Sequence, residues 1–144
     1  MKINLDEYKN IRELVSGLFQ FDPTQKFTQA ALAVTDEELL FYDDNAPDEK
    51  ESIHYIYHIK KRIKLDKVVV ALDEKIKKNK YLKDMGRINF LVEEEDEEGD
   101  TDNVEVIFYY YLTDKAQAES FINELKSLNV KVKKRKVDLS YNKI

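Results

Sequence analysis

The chain has no cysteine and no tryptophan, and only three glycines and two prolines among its 144 residues. Without cysteine there are no disulfides, thiol nucleophiles or thiolate-bound metals. Gly17, Gly86 and Gly99 lie far apart in sequence, so they form no glycine-rich phosphate loop. Two histidines leave few groups that titrate near neutral pH. No stretch reaches the roughly 18 consecutive apolar residues that a membrane-spanning helix needs. The opening MKINLDEYKNIREL lacks the apolar core of a secretory signal, so a cytoplasmic protein is expected.

What the chain does contain is charge, arranged in blocks. Charged residues make up 37% and apolar residues 42%, a globular balance for one domain spanning 1–144. The net charge of −5 conceals −7 over residues 1–59, +7 over 60–87, nine acids without a base over 93–105, and +4 over 106–144. Such segregation builds a basic surface on an acidic protein, or lines the solvated sides of its elements.

The hydrophobic periods divide the chain into elements. Leu5, Tyr8, Ile11, Val15 and Leu18 recur at spacings of three and four, predicting a helix over 5–19 with Asn4 as N-cap and Pro23 beyond its end. The period then falls to two. AALAV (30–34) and ELLFYD (38–43) read as a hairpin, and SIHYIYHI (52–59), KVVVALDE (67–74), RINFLV (87–92) and VEVIFYYYL (104–112) as further strands. Residues 75–85 fit either a loop or a short helix. A second helix is predicted from a Thr113 or Asp114 cap through the stripe Ala118, Phe121, Ile122, Leu125 and Leu128, stopping at Asn129. A basic extension, VKVKKRKV (130–137), follows.

The densest chemistry is EEEDEEGDTD (93–102), with eight carboxylates in ten residues. With Gly99 at position 6 of a calcium loop, Glu94, Asp96, Glu98 and Glu105 fall at positions 1, 3, 5 and 12. The flanks alternate with period two, however, and a calcium loop of that type lies between helices. A solvated hairpin turn is therefore expected, its charges keeping the strand ends from pairing with neighbours. His54 and His58 would share one face of a strand about 13 Å apart, too far for one ion. No metal, cofactor or catalytic residue is expected.

ALAVTDEELLFYDD (31–44) and IFYYYLTDKAQAESFINELKSL (107–128) resemble the opening hairpin and the closing strand and helix of bacterial pleckstrin-homology-like (GRAM-like) domains. The resemblance covers about residues 28–128. It implies an α+β fold: a bent antiparallel β-barrel or sandwich with a C-terminal capping helix. The helix within 1–22 would be an addition, and 129–144 a basic extension. It also implies a binding module. Members that bind inositol lipids crowd cations into the first strand–strand loop, where this chain has Thr35-Asp36-Glu37-Glu38.

The expected function is thus a small non-catalytic module that binds a protein or peptide, with no nucleic-acid partner. The alternative is peripheral binding to anionic membrane surfaces through basic segments. Candidate surface residues are Lys60, Lys61, Arg62 and Lys64, the tail residues Lys131, Lys133, Lys134 and Arg135, and Tyr109 and Tyr111 on the second face of VEVIFYYYL with Ile107. If helix 5–19 covers those aromatics, they are core instead.

Overall fold

The computed structural model describes residues 10–43, 59–77, 82 and 84–138. They form one mixed sheet of eight strands and one α-helix: β1 (Glu13–Phe19), β2 (Thr28–Val34), β3 (Glu38–Asp43), β4 (Ile59–Lys64), β5 (Val68–Lys77), β6 (Met85–Glu95), β7 (Thr101–Tyr111), α1 (Lys115–Ser127) and β8 (Val132–Asp138). Short 3₁₀ turns precede β5 and α1. The strand order is β4-β3-β2-β1-β7-β6-β5-β8. Every pairing is antiparallel except β5 with β8.

This sheet is bent back on itself. Strands β3 and β6 are four steps apart, about 19 Å in a flat sheet. Yet the rings of Phe41 on β3 and Phe90 on β6 meet at 6.4 Å, edge to face. Phe19, Phe41, Phe90 and Phe108 thus fill the space between two leaves, with Val15, Leu32, Leu39 and Ile88 around them. Helix α1 adds Ala118, Phe121, Ile122 and Leu125 to the same core.

The bend lies where β1 meets β7 over only two residue pairs, Gly17↔Tyr110 and Leu18↔Tyr109. A Cβ on Gly17 would lie 1.8 Å from the Tyr109 carbonyl oxygen and 2.9 Å from the Phe108 ring. Only glycine lets the two backbones approach so closely. Gly17→Ala is expected to cost about 3 kcal/mol in urea unfolding, the upper end of overpacking. A loss below about 0.5 kcal/mol would show that the leaves do not join there.

The predicted helix over 5–19 is not found among the described residues. Residues 13–19 are strand β1, paired with β2 from Glu13↔Val34 to Phe19↔Thr28. Val15, Gly17 and Phe19 are buried in alternation. Leu5 and Tyr8 lie outside the described residues, as do His54, His58 and most of 52–59. Residues 75–77, part of the stretch that fits either a loop or a short helix by sequence, continue β5. The basic stretch after the helix does not trail. It returns as β8, pairing with β5 from Ala71↔Val132 to Lys77↔Asp138.

The expected stop at Asn129 is present. Its φ of 66° is left-handed, its N–H donates to the Lys126 carbonyl, and the Val130 N–H reaches the Leu125 carbonyl at 3.0 Å. That reversal aims the chain at β5. The acidic stretch is a hairpin turn between β6 and β7. Asp96 Oδ1 accepts the Glu98 and Asp100 N–H groups, both at 2.9 Å, and Gly99 adopts a φ of 85°. The expected β2–β3 hairpin is likewise closed by Thr35, whose hydroxyl accepts the Glu37 and Glu38 N–H groups. No helix among the described residues is long and apolar enough to cross a membrane.

Candidate functional site

A cleft of about 770 Å³ opens between α1 and the inner face of the β7-β6-β5-β8 leaf. Strand pairing builds its floor. Lys136, Lys75, Gly86 and Tyr110 form one cross-strand row, and Lys134 stands opposite Asp73 in the row beside it. Helix α1 supplies the wall with Lys115, Glu119, Ile122, Asn123 and Lys126, whose spacing places them along one side. Arg135 also borders the cleft, but its guanidinium is bound to Glu74.

At the base of the cleft, the Tyr110 hydroxyl donates to Asp73 Oδ1 at 3.3 Å. Tyr110 belongs to β7 and Asp73 to β5, with β6 between them. The ring spans that distance by lying over Gly86, where a Cβ would meet ring carbon Cζ at 2.4 Å. Burial pushes the Asp73 carboxyl above the usual carboxylate range, against the pull of the Tyr110 hydroxyl and Lys134. Burial also pushes the Tyr110 hydroxyl up, and Asp73 adds to that shift. Tyr110 therefore stays protonated and serves as donor.

Around this pair stand the exposed side chains of Lys75, Lys115, Lys126, Lys134 and Lys136. Among the described residues, the acids lining the cleft are Asp73 and Glu119, the latter 3.8 Å from Lys115. Five ammonium groups facing a concave volume against two acids attract anions, because field lines concentrate in a cleft.

The opposite face of the same leaf carries a buried ion cluster. Glu74 is fully buried, its Oε1 accepting from Arg87 Nε at 2.6 Å and its Oε2 bound by Arg135. Arg87 also donates to the Tyr109 hydroxyl at 3.3 Å. Glu74 thus joins β8 to β6 across β5.

The sequence candidates divide among these places. Lys134 and Arg135 border the cleft, whereas Lys133 is exposed on β8 and Lys131 precedes that strand. Lys60, Lys61, Arg62 and Lys64 belong to β4, at the other edge of the sheet, where Arg62 reaches Glu38 at 3.3 Å. Tyr109 is buried against Phe27, with ring centroids 5.4 Å apart, and packs with Leu18, Ile107 and Tyr111. Strand β1, rather than a covering helix, supplies Leu18. Tyr109 is therefore a core residue, and Tyr111 is half-buried beside it.

The sequence reading missed Asp73, Tyr110, Lys75, Lys115, Lys126 and Lys136. Its available signals were Lys115, Glu119 and Lys126 along one helix side and Lys134 with Lys136 on one strand face. Among the described residues, no cluster of three metal-ligating side chains is present. No family model matches the chain, and no curated protein matches it.

Proposed function

We propose that the protein is a non-catalytic interaction module whose cleft binds an acidic segment of a partner protein. The observation that carries this reading is the convergence of five lysines on one concave volume between α1 and the sheet. The volume suits a few side chains of a docked segment, since ligand clefts commonly enclose about 300–1,000 Å³. Support for a pleckstrin-homology-like architecture comes from seven antiparallel strands followed by a helix that packs into the bent sheet. In this reading β8 is an addition to that plan.

The alternative, peripheral binding to an anionic membrane surface, draws on exposed Lys60 and Lys64 of β4 and Lys133 of β8. Those lysines belong to opposite edges of the sheet, while the cleft lysines share one volume. The cleft is also concave, walled by α1 and floored by the sheet, a shape that encloses a chain segment better than a flat headgroup layer. An acidic segment is therefore preferred.

Fluorescence anisotropy with a labelled oligoglutamate peptide tests the reading. Binding is expected at low ionic strength and should fade as salt approaches about 0.15 M, where the screening length is about 8 Å. An oligoglutamine peptide of the same length should not bind. Equal binding of the two peptides would overturn the proposal. Sedimentation with anionic vesicles but no peptide binding would favour the membrane alternative.

A further inference from the structure

We infer that the acidic segment binds as an added strand on the outer edge of β8, lowering alternate carboxylates toward the cleft lysines. This rests on the cleft reading above and adds the ligand's conformation and place.

Strand β8 is the last in the sheet order, so its outer edge has no partner strand among the described residues. Its pairing with β5 is parallel and begins where the Ala71 N–H donates to the Lys131 carbonyl at 2.8 Å. In such a ladder alternate residues face the neighbouring strand. Val132, Lys134 and Lys136 therefore direct their N–H and C=O groups outward. Lys134 and Lys136 also border the cleft. The residues whose outward backbone groups have no strand partner among the described residues are thus those whose side chains stand at the cleft rim. A strand laid along this edge, about 4.8 Å away, would place every second side chain beside them.

Charge selects the occupant. Lys133, Lys134, Arg135 and Lys136 form an unbroken cationic run. Two copies of β8 pairing with each other would set cations against cations, which is unfavourable directly across a ladder. The chain's own acidic stretch is unsuited as well. Residues 93–95 and 101–103 are already paired to each other, and 96–100 form a tight turn. Strand β4 is also an edge with lysines, but the hollows beside it are bordered by Asp36, Glu37 and Glu38. An acidic extended segment of a partner is accommodated at β8 and repelled by the carboxylates beside β4. Addition of such a strand to an exposed sheet edge draws affinity from main-chain bonds and specificity from alternate side chains.

The test uses the full chain and a peptide of about seven residues, the length of β8, alternating glutamate and threonine. Two further peptides carry N-methyl groups on all glutamates or on all threonines. Strand addition predicts that one methylated form loses at least about tenfold in affinity, and that the other, methylated on its solvent side, stays within about threefold. Protection of the Lys134 and Lys136 amides from hydrogen exchange should rise with the unmethylated peptide. Lys134→Gln with Lys136→Gln should weaken binding about tenfold, whereas Lys60→Gln on β4 should not.

Equal binding of all three peptides would overturn strand addition and leave the cleft reading standing. Loss in both methylated forms would also count against a single paired edge. No binding of any peptide at low salt would overturn both readings. If the chain alone dimerised and the peptide dissolved the dimer, the occupant would be a second copy, and the partner assignment would fall.

Discussion

Glu74→Gln is expected to destabilise the protein by about 3–5 kcal/mol, the usual loss when one partner of a buried ion pair is removed. Glu74 is fully buried, and the Arg87 side chain that it faces is 9% exposed. The amide keeps the shape but leaves the Arg87 guanidinium with little access to water. Arg135 differs, since its half-exposed side chain can turn to solvent. The expected consequence is local as well as global: β8 loses one of its ties to the sheet, so its amides should exchange sooner than those of β6. Glu74→Leu combined with Arg87→Met should recover most of the loss, because well-packed apolar replacements of a buried pair are often neutral. Urea unfolding of the three proteins reads both effects. A cost below about 1 kcal/mol for Glu74→Gln would mean that water reaches the cluster.

Phe121→Ala is expected to cost a similar 3–5 kcal/mol, from lost burial together with the cavity that remains. Phe121 is fully buried in the main core with Ala118 and Leu125 from its own helix. The helix joins the sheet mainly through this stripe. Its outward side bears lysines and belongs to the cleft wall. The substitution should therefore loosen the wall and weaken oligoglutamate binding along with stability. A loss below about 1 kcal/mol would show that α1 is peripheral to the core.

These two sites differ in how they could be read from sequence. Phe121 stands in a stripe at helical spacing, and a local period of that kind marks the face a helix must bury. Glu74 ends KVVVALDE, a run that reads as a strand, but nothing there distinguishes it from exposed Asp66 or half-buried Asp73. Its burial follows from two arginines brought from β6 and β8. The misread region 13–19 shows the same division. Spacings of three and four through Ile11, Val15 and Leu18 mimic a helical face, while Val15, Gly17 and Phe19 alternate equally well. Gly17 was the local cue, since glycine inside a helix costs about 1 kcal/mol. Pairing with β2 over seven residues decided the matter in favour of the strand.

By itself the sequence determined most strands, the β2–β3 and β6–β7 hairpins, the capping helix and its stop at Asn129. Each depends on side-chain period or turn chemistry within a few residues. It also determined that the chain is rich in segregated charge and has no cysteine chemistry. The tertiary structure alone decided that the basic tail becomes an edge strand, that the sheet bends at Gly17, and that five lysines from α1, β5 and β8 surround Asp73 and Tyr110. The physical reason is non-locality. A lysine is compatible with the solvated side of any strand or helix, so its type carries no information about its neighbours. Those neighbours follow from strand order and register, such as Asp73↔Lys134 and Gly86↔Tyr110, which join residues far apart in the chain.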